Sequence, residues 1–381
     1  MLDAVVVGAG PVGLLCAVAL GRAGRSVTVL ERRTSPRRLT RSIGIHAASL
    51  AGLARLGLLD GFLALGVRID RGVVVGRHGP LGVLELGASG SEHGYALAVP
   101  QPATEALLAA EARRLGVTIE LGASVCGLRC ASDRVDVELR RHGSGSGGFD
   151  RRTARLVLGC DGSDSRVRRL LGIPWAQRRL PGCYAMAEFS AGPALGNDAW
   201  IFLAAGGLVE SFPLPGGRRR WVVEVHERAA EVDLDLLREA VAARTGIEIA
   251  VEGDPQATAF GTVEALAGEF RRGRGLLLGD AAHLLSPFGG LGMNLGWLDA
   301  LALAERAGQG GLDEAGLAGW AAARRTAARV ALRQARVNAW LGRRSRAPGL
   351  REAIVRAALA GPWQAALARR VGMLGAARSS A

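Results

Sequence analysis

The run Gly8-Ala9-Gly10-Pro11-Val12-Gly13 is the first place in the chain where residue type and spacing carry chemistry. Between a strand and a helix, the first glycine permits a tight turn. The second lets backbone approach a pyrophosphate without a Cβ in the way, and the third lets the helix pack close on the sheet. The pyrophosphate then rests on N–H groups at the positive end of a helix that begins around Pro11 and Val12. Glu31 stands eighteen residues after Gly13, at the end of a second apolar run, where a carboxylate accepts hydrogen bonds from ribose hydroxyls. An acid there repels a 2′-phosphate, so the motif selects the adenosine of FAD or NAD and does not separate the two.

Two later segments add chemistry of the same kind. Arg155 to Leu158 runs into Gly159-Cys160-Asp161-Gly162, followed by a polar helix start carrying Arg166 and Arg168. Gly275 to Leu278 runs into Gly279-Asp280-Ala281-Ala282-His283, then Pro287 and the loop Gly289-Gly290-Leu291-Gly292-Met293-Asn294. An acid at a strand end, followed by a glycine-rich loop that opens a helix, offers a carboxylate to sugar or ribityl hydroxyls. It also offers N–H groups to an anionic ring or phosphate.

In this order the three segments resemble the single-component FAD-dependent aromatic hydroxylases of the p-hydroxybenzoate hydroxylase type, over most of residues 1 to 310. The resemblance implies that Gly8, Gly10, Pro11, Val12, Gly13 and Glu31 hold the ADP half of FAD, with Arg32 and Val125 placed in the same set. It implies that Asp161 and Arg166 serve both FAD and the nicotinamide, that Gly279 and Asp280 hold the ribityl chain, and that Pro287 and Gly290 to Asn294 line the flavin ring. Arg41, in Arg41-Ser42-Ile43-Gly44-Ile45-His46, matches an arginine near the pyrophosphate and the mobile flavin, and Gln101 matches a glutamine beside the ring. The chain departs from the family pattern at Leu291, where a glutamine is usual, and at Ala103, where an arginine often stands. The implied reaction uses NADH or NADPH to reduce FAD. O2 then forms a flavin C4a-hydroperoxide, which hydroxylates a phenolic, quinonoid or polyketide-like molecule of secondary metabolism.

The elements needed to position these residues are legible around them. Ala4–Val7 and Ser26–Leu30 read as buried parallel strands flanking an Ala/Leu-rich helix from Leu14 to Arg22. Short strands follow at 72–76, 82–86 and 95–99, then a helix over 104–115, strands at 117–121 and 134–140, and a Gly/Ser loop at 143–148. From 181 to 267 the α/β rhythm breaks into alternating segments, with a hairpin signal at Pro215-Gly216-Gly217-Arg218 and one helix near 233–244. The expected fold is α/β: a Rossmann-type FAD-binding domain (1–70, 98–180 and 268–311), an inserted antiparallel β-sheet substrate domain (71–97 and 181–267), and C-terminal helices (312–381). Trp200, Phe202, Phe212 and Trp221 are candidate pocket walls, as are the only two tyrosines, Tyr95 and Tyr184. Leu350 to Leu374 reads as one amphipathic helix whose apolar face either packs on the FAD domain or touches a membrane surface. His46 and His283 read as packed, hydrogen-bonded residues, and no catalytic base is named.

Composition excludes several functions. The net charge of +13 comes from a chain whose 48 basic residues are all arginine, dispersed in short runs. That is a compositional bias with a solvated basic surface, and no nucleic-acid footprint. Five cysteines, Cys16, Cys126, Cys130, Cys160 and Cys183, carry no C-x-x-C spacing and read as reduced, buried and structural in a cytoplasmic protein. The apolar stretch from Val5 to Gly21 lacks a basic leader and contains Gly8, Gly10, Pro11 and Gly13, so it is no signal or membrane segment. The absence of lysine, and of a W-x-W-x-I-P run, argues against the tryptophan halogenases built on the same scaffold. A reductase of the geranylgeranyl-reductase type and a non-enzymatic nucleotide-binding accessory protein are the alternatives.

Overall fold

The computed structural model describes residues 1–35, 42–142, 149–190, 195–225, 233–250, 257–342 and 347–378. The first half contains β1 (Leu2–Val7), α1 (Pro11–Arg22), β2 (Val27–Glu31), β3 (Gly44–Ile45), α2 (Ala47–Arg55), α3 (Leu59–Leu63), β4 (Val67–Ile69), β5 (Arg71–Gly76), β6 (Gly79–Glu85), β7 (Ala96–Ala98), α4 (Gln101–Arg114), β8 (Thr118–Leu121), β9 (Ala123–Cys130), β10 (Val135–Arg141), β11 (Phe149–Gly159) and α5 (Arg166–Leu170). There follow β12 (Trp175–Ser190), β13 (Ala199–Ala204), β14 (Gly207–Leu214), β15 (Arg218–Val225), α6 (Leu234–Thr245), β16 (Thr258–Ala267), β17 (Arg271–Arg272), β18 (Gly275–Leu277), β19 (His283–Leu284), α7 (Leu291–Gly308), α8 (Glu314–Gly342), α9 (Pro348–Leu359), α10 (Trp363–Val371) and α11 (Leu374–Arg378).

The first sheet runs β17-β18-β11-β1-β2-β8, with β10 pairing β11 and β9 pairing β10. Its central strands are parallel and their carboxyl ends stand in register. Val7 pairs with Leu30 and with Gly159, and Gly159 pairs with Leu277. Everything that leaves those ends emerges at one edge. Gly8, Glu31, Cys160-Asp161 and Gly279-Asp280 are far apart in sequence and neighbours here, as the ligand crevice of a doubly wound sheet requires. Helix α1 is buried from Gly13 to Leu20 because it is apolar nearly all round, packing between the sheet, α4 and α7.

The second sheet runs β19-β16-β12-β15-β14-β13-β5-β6 and is antiparallel except where β13 lies beside β5. The predicted hairpin is the β14–β15 turn, where Gly216 (φ +73°) and Gly217 (φ +67°) supply the left-handed backbone. One face of this sheet is covered by α6, through Val209, Trp221, Val223, Leu237 and Val241. The other face, with Tyr184, Met186, Leu203, Leu208 and Phe260, packs towards Phe288, β4 and β7. A small sheet, β3-β7-β4, lies beside this layer and leads into α4.

Several expectations change. Trp200, Phe202 and Trp221 belong to the α6 side, because alternation along β13 and β15 turns them away from the glycine loops. Phe212, of the same candidate set, is on the facing side. The single helix read over Leu350 to Leu374 is broken between α9 and α10, since Gly361 adopts φ +59° and Pro362 lacks an N–H to continue the ladder. Val355 and Leu359 are buried there, whereas Ile354 and Trp363 are exposed. Only Cys16 of the five cysteines is fully buried; Cys130 is exposed, and none is paired. No helix among the described residues is long and apolar enough to cross a membrane. The Gly/Ser loop at 143–148 lies outside the described residues.

Candidate functional site

At the carboxyl edge of the first sheet, the glycine turn is sewn to both neighbouring strands. Gly8 N donates to Leu30 O at 2.8 Å, and Cys160 N donates to Val7 O at 2.9 Å. Gly8 adopts φ +107°, and a Cβ there would stand 2.4 Å from Cys160 O; one on Gly13 would stand 1.9 Å from Gly8 O. Both glycines are demanded by the fold. Gly10 is not: its φ of −81° suits any residue, and a Cβ there would meet nothing within 4 Å. The bare backbone of Gly10 borders open space at the N-terminus of α1, which has no acid in its first turn and no side-chain cap. Its first N–H groups and dipole are therefore available to an anion.

Glu31 is nearly buried beside this turn. Its carboxylate accepts from Ala9 N at 2.9 Å and from Arg33 N and Nε at 2.9 Å each. Burial pushes its carboxyl up, but the Arg33 guanidinium and the two N–H donors outweigh that and hold it below the usual range. Arg33, absent from the sequence-level site, is the partner because residues two apart on extended backbone share a side; Arg32 is exposed instead. Arg33 Nη1 is buried and makes no hydrogen bond among the described residues. An orphaned donor beside a carboxylate, next to a cradle that a Cβ would fill, fits the ribose and pyrophosphate of a dinucleotide. Val125 is buried in the core alongside, on β9. Arg41 lies outside the described residues.

The Asp280 loop is held against the same helix end. Val12 fills the space beside Gly279 (φ +59°) and Gly296, where a Cβ would approach it to 3.0 and 2.6 Å, so α1, the loop and α7 close on one another. Trp297 Nε1 also donates to Pro11 O at 3.0 Å. Asp280 itself is exposed at this junction. Beneath it lies a fully buried triad: His283 Nε2 meets Asp299 Oδ2 at 2.7 Å, and Arg324 Nε donates to Asp299 Oδ1 at 2.8 Å. Asp299 Oδ2 also accepts from Gly279 N at 3.3 Å. Burial raises the Asp299 carboxyl, but His283 and Arg324 together hold it below its ordinary value. The triad anchors the loop from below, which accords with His283 as a packed residue.

Past Pro287, which is exposed, Gly289 (φ +79°) and Gly290 (φ +63°) turn the chain into α7. Asn294 fixes this turn: its Nδ2 donates to Gly290 O at 2.8 Å and Gly44 O at 2.9 Å, while its Oδ1 accepts from His46 N at 2.8 Å. His46 Nε2 lies 2.7 Å from Gly289 O. A carbonyl only accepts, so that nitrogen carries the proton, and burial lowers the His46 pKa. Leu291 is buried in the core, which leaves this loop to act through backbone; Gly292 and Met293 remain partly exposed. Gln101 is the first residue of α4 and not, as expected, just ahead of it. Its Oε1 accepts from Ser42 N at 3.4 Å and its Nε2 donates to Glu105 at 2.8 Å.

The Asp161-Gly162 segment has a local task. Asp161 accepts from Ser165 Oγ and from the backbone N–H of Arg166 and Val167, at 2.7 and 3.0 Å, capping α5. Arg166 is exposed. Arg168 is the arginine turned inward: it lies over the Trp175 ring and donates to Ala281 O at 3.0 Å and Ser163 O at 2.9 Å. It ties the second motif to the third. Only the helical phase of α5 distinguishes Arg168 from its neighbours, and five residues are too few to reveal that phase in sequence.

Comparisons with known proteins identify the family and the fold. The family model described as "FAD binding domain" matches residues 1–335. The chain is similar to rifampicin monooxygenase from Streptomyces venezuelae, 35% identical over 310 residues that cover 80% of this chain and 63% of that protein. It is also similar to 12-dehydrotetracycline 5-monooxygenase/anhydrotetracycline 6-monooxygenase from Streptomyces rimosus, 32% identical over 327 residues that cover 80% and 62%. The chain thus spans less than two thirds of these relatives. Among solved structures, p-nitrophenol 4-monooxygenase from Pseudomonas putida superposes with a TM-score of 0.86, covering 98% of both chains at 24% identity, a likeness of fold.

Proposed function

The chain belongs to the FAD-dependent aromatic hydroxylase family, and from that premise we propose that it is a monooxygenase that uses NADH or NADPH and O2 to hydroxylate a phenolic, quinonoid or polyketide-like small molecule. The observation that carries this reading is the meeting of three motifs at one sheet edge, with Phe288 of the turn into α7 packed on the apolar face of the second sheet. FAD, when bound, supplies the redox chemistry by drawing electrons from the nicotinamide and activating O2. The relatives named for rifampicin and anhydrotetracycline support a polycyclic, polyketide-derived substrate.

The chain's own part is to bind, orient and exclude water. Gly10 and the first turn of α1 hold the pyrophosphate, Glu31 with Arg33 the adenosine ribose, and Asp280 the ribityl hydroxyls. The Pro287 to Met293 turn, stiffened by Asn294 and His46, presents backbone to the flavin ring. Asp161 is occupied by α5, so we assign to it the shape of the turn beside the cofactor. The exposed guanidinium of Arg166, with Arg41, is left to meet the phosphates of NADH or NADPH. Tyr184, Phe260 and Phe288 form a buried aromatic group beside the turn into α7, with Tyr184 and Phe288 edge to face at 4.6 Å.

Two measurements test this. Protein reconstituted with FAD should release FAD, not FMN, on denaturation. Turnover under ¹⁸O₂ should place label in the product. Retention of NAD alone would overturn the cofactor, and substrate turnover with no oxygen consumed would make the protein a reductase.

A further inference from the structure

Strand β14 carries one carboxylate, Glu210, on the face that looks away from α6. Alternation puts Leu208, Glu210 and Phe212 on that face and Val209 and Ser211 on the other. The pairing register draws a row across the sheet through this residue: Val74 beside Ile201, Ile201 beside Glu210, Glu210 beside Val222, and Val222 beside Met186. The other four residues are apolar, and the row continues past Met186 to Thr258. The layer they form also contains Tyr184 and Phe288, and Phe288 lies in the turn that enters α7. Glu210 is partly exposed; its direct cross-strand neighbours Ile201 and Val222 are apolar, and Arg220 and Glu224 stand diagonally from it on β15.

The other charged groups around this face are engaged. On β15, Glu224 accepts from Leu208 N at 3.2 Å, and Arg220 is bonded to Glu188 of β12. Arg68 of β4 pairs with Asp70, Arg336 of α8 with Glu264, and Arg351 of α9 donates to Leu203 O. Tyr184 on β12, a further titratable group of the layer, also has a partner. Glu210 makes no hydrogen bond or ion pair among the described residues. Burial alone pushes its carboxyl up to about 7. An uncompensated carboxylate in apolar surroundings is costly to the fold, and the apolar layer that borders Glu210 includes Phe288, in the turn that enters α7.

We propose that Glu210 reads the substrate: its carboxylate accepts a hydrogen bond from an acidic hydroxyl on a ring seated against Ile201, Phe212, Val222 and Met186, and takes that proton during turnover. The O–H bond breaks, Glu210 gains the proton, and the electron pair stays on oxygen, leaving a more electron-rich ring. The assignment rests on the monooxygenase reading for its substrate class and adds the group that selects it.

The test uses FAD-reconstituted protein and two probes, 2-naphthol and its methyl ether 2-methoxynaphthalene, titrated by calorimetry at about pH 8, where a carboxyl titrating near neutrality is ionised. Wild-type protein should prefer the naphthol by about tenfold or more, the value of a hydrogen bond to a charged acceptor. Glu210→Gln should remove that preference while leaving the ether's affinity and the FAD content unchanged. In the wild type alone, naphthol affinity should rise as pH passes through about 7, which keeps the test open should the variant fold poorly. The proposal is overturned if the wild type does not discriminate, if the variant keeps its preference, if both probes weaken together, or if wild-type affinity is flat with pH. These readouts are binding measurements. Discrimination without ¹⁸O incorporation would sink the monooxygenase reading and keep Glu210, and the converse result would do the reverse.

Discussion

Replacing Gly10 with alanine separates what the fold needs from what the cofactor needs. The substitution adds one carbon at a backbone position with φ −81°, where a Cβ meets nothing within 4 Å. Alanine is a somewhat poorer N-cap than glycine, by up to about 1 kcal/mol. It also restricts the unfolded chain, which returns about 0.4–1 kcal/mol. The cofactor-free protein should therefore keep its melting temperature to within a few degrees, roughly what 1 kcal/mol moves in a chain of this size. Binding is another matter, because the new methyl stands where the pyrophosphate must approach. Displacing one or two charge-assisted N–H bonds, each about 1.5–3 kcal/mol, should weaken FAD by about 2–5 kcal/mol, roughly 30-fold to several thousand-fold. Gly13→Ala is the contrast, since its Cβ would lie 1.9 Å from Gly8 O and the fold itself must give. Flavin fluorescence titration and thermal unfolding of the cofactor-free proteins measure the two effects. FAD affinity within threefold of wild type in Gly10→Ala, or an unfolding loss as large as that of Gly13→Ala, would refute the reasoning.

Glu31→Ala and Asp280→Ala should each weaken FAD by about 1.5–3 kcal/mol; equal dissociation constants in wild type and both variants would remove these residues from the site. Asp299→Ala leaves His283 and Arg324 buried without their acceptor and should cost about 3–5 kcal/mol in urea unfolding, so a loss under 1 kcal/mol would mean the triad does not anchor the loop. The Glu210 carboxyl is raised from 4.5 to about 7 in the folded chain. The folded state therefore binds that proton more tightly than the unfolded one, and the stability it contributes is complete below pH 4.5 and lost as pH rises to about 7. The stability of wild type relative to Glu210→Gln should fall by at most about 3 kcal/mol across that window; a difference constant with pH would contradict the burial argument.

Much of the cofactor end was legible because its signals are local. Gly8, Gly10 and Gly13 follow a β-branched run and precede an apolar helix, so their spacing is readable locally, although the Cβ that Gly8 excludes would meet Cys160 on a distant strand end. The hairpin at Gly216-Gly217 is likewise written in its own backbone requirements. The break at Gly361-Pro362 was equally local, and the apolar spacing from Leu350 onward obscured it. Periodicity describes a helix face and says nothing about whether the backbone ladder is continuous.

The sequence by itself determined the order of strand, glycine turn and helix, the placement of the acids Glu31, Asp161 and Asp280 at three strand ends, and the change to antiparallel pairing after residue 180. Local sterics and side-chain alternation act over a handful of residues, so they are readable without coordinates. Tertiary structure decided which side chains meet. It brought the ends of β1, β2, β11 and β18 into one row, paired Glu31 with Arg33 and not Arg32, and occupied Asp161 with α5 and Asn294 with the α7 turn. It also turned Trp200, Phe202 and Trp221 under α6 while setting Glu210 between the apolar cross-strand neighbours Ile201 and Val222. Register and facing depend on which strands become neighbours across long sequence separations, and a shift of one residue exchanges the two faces of a strand.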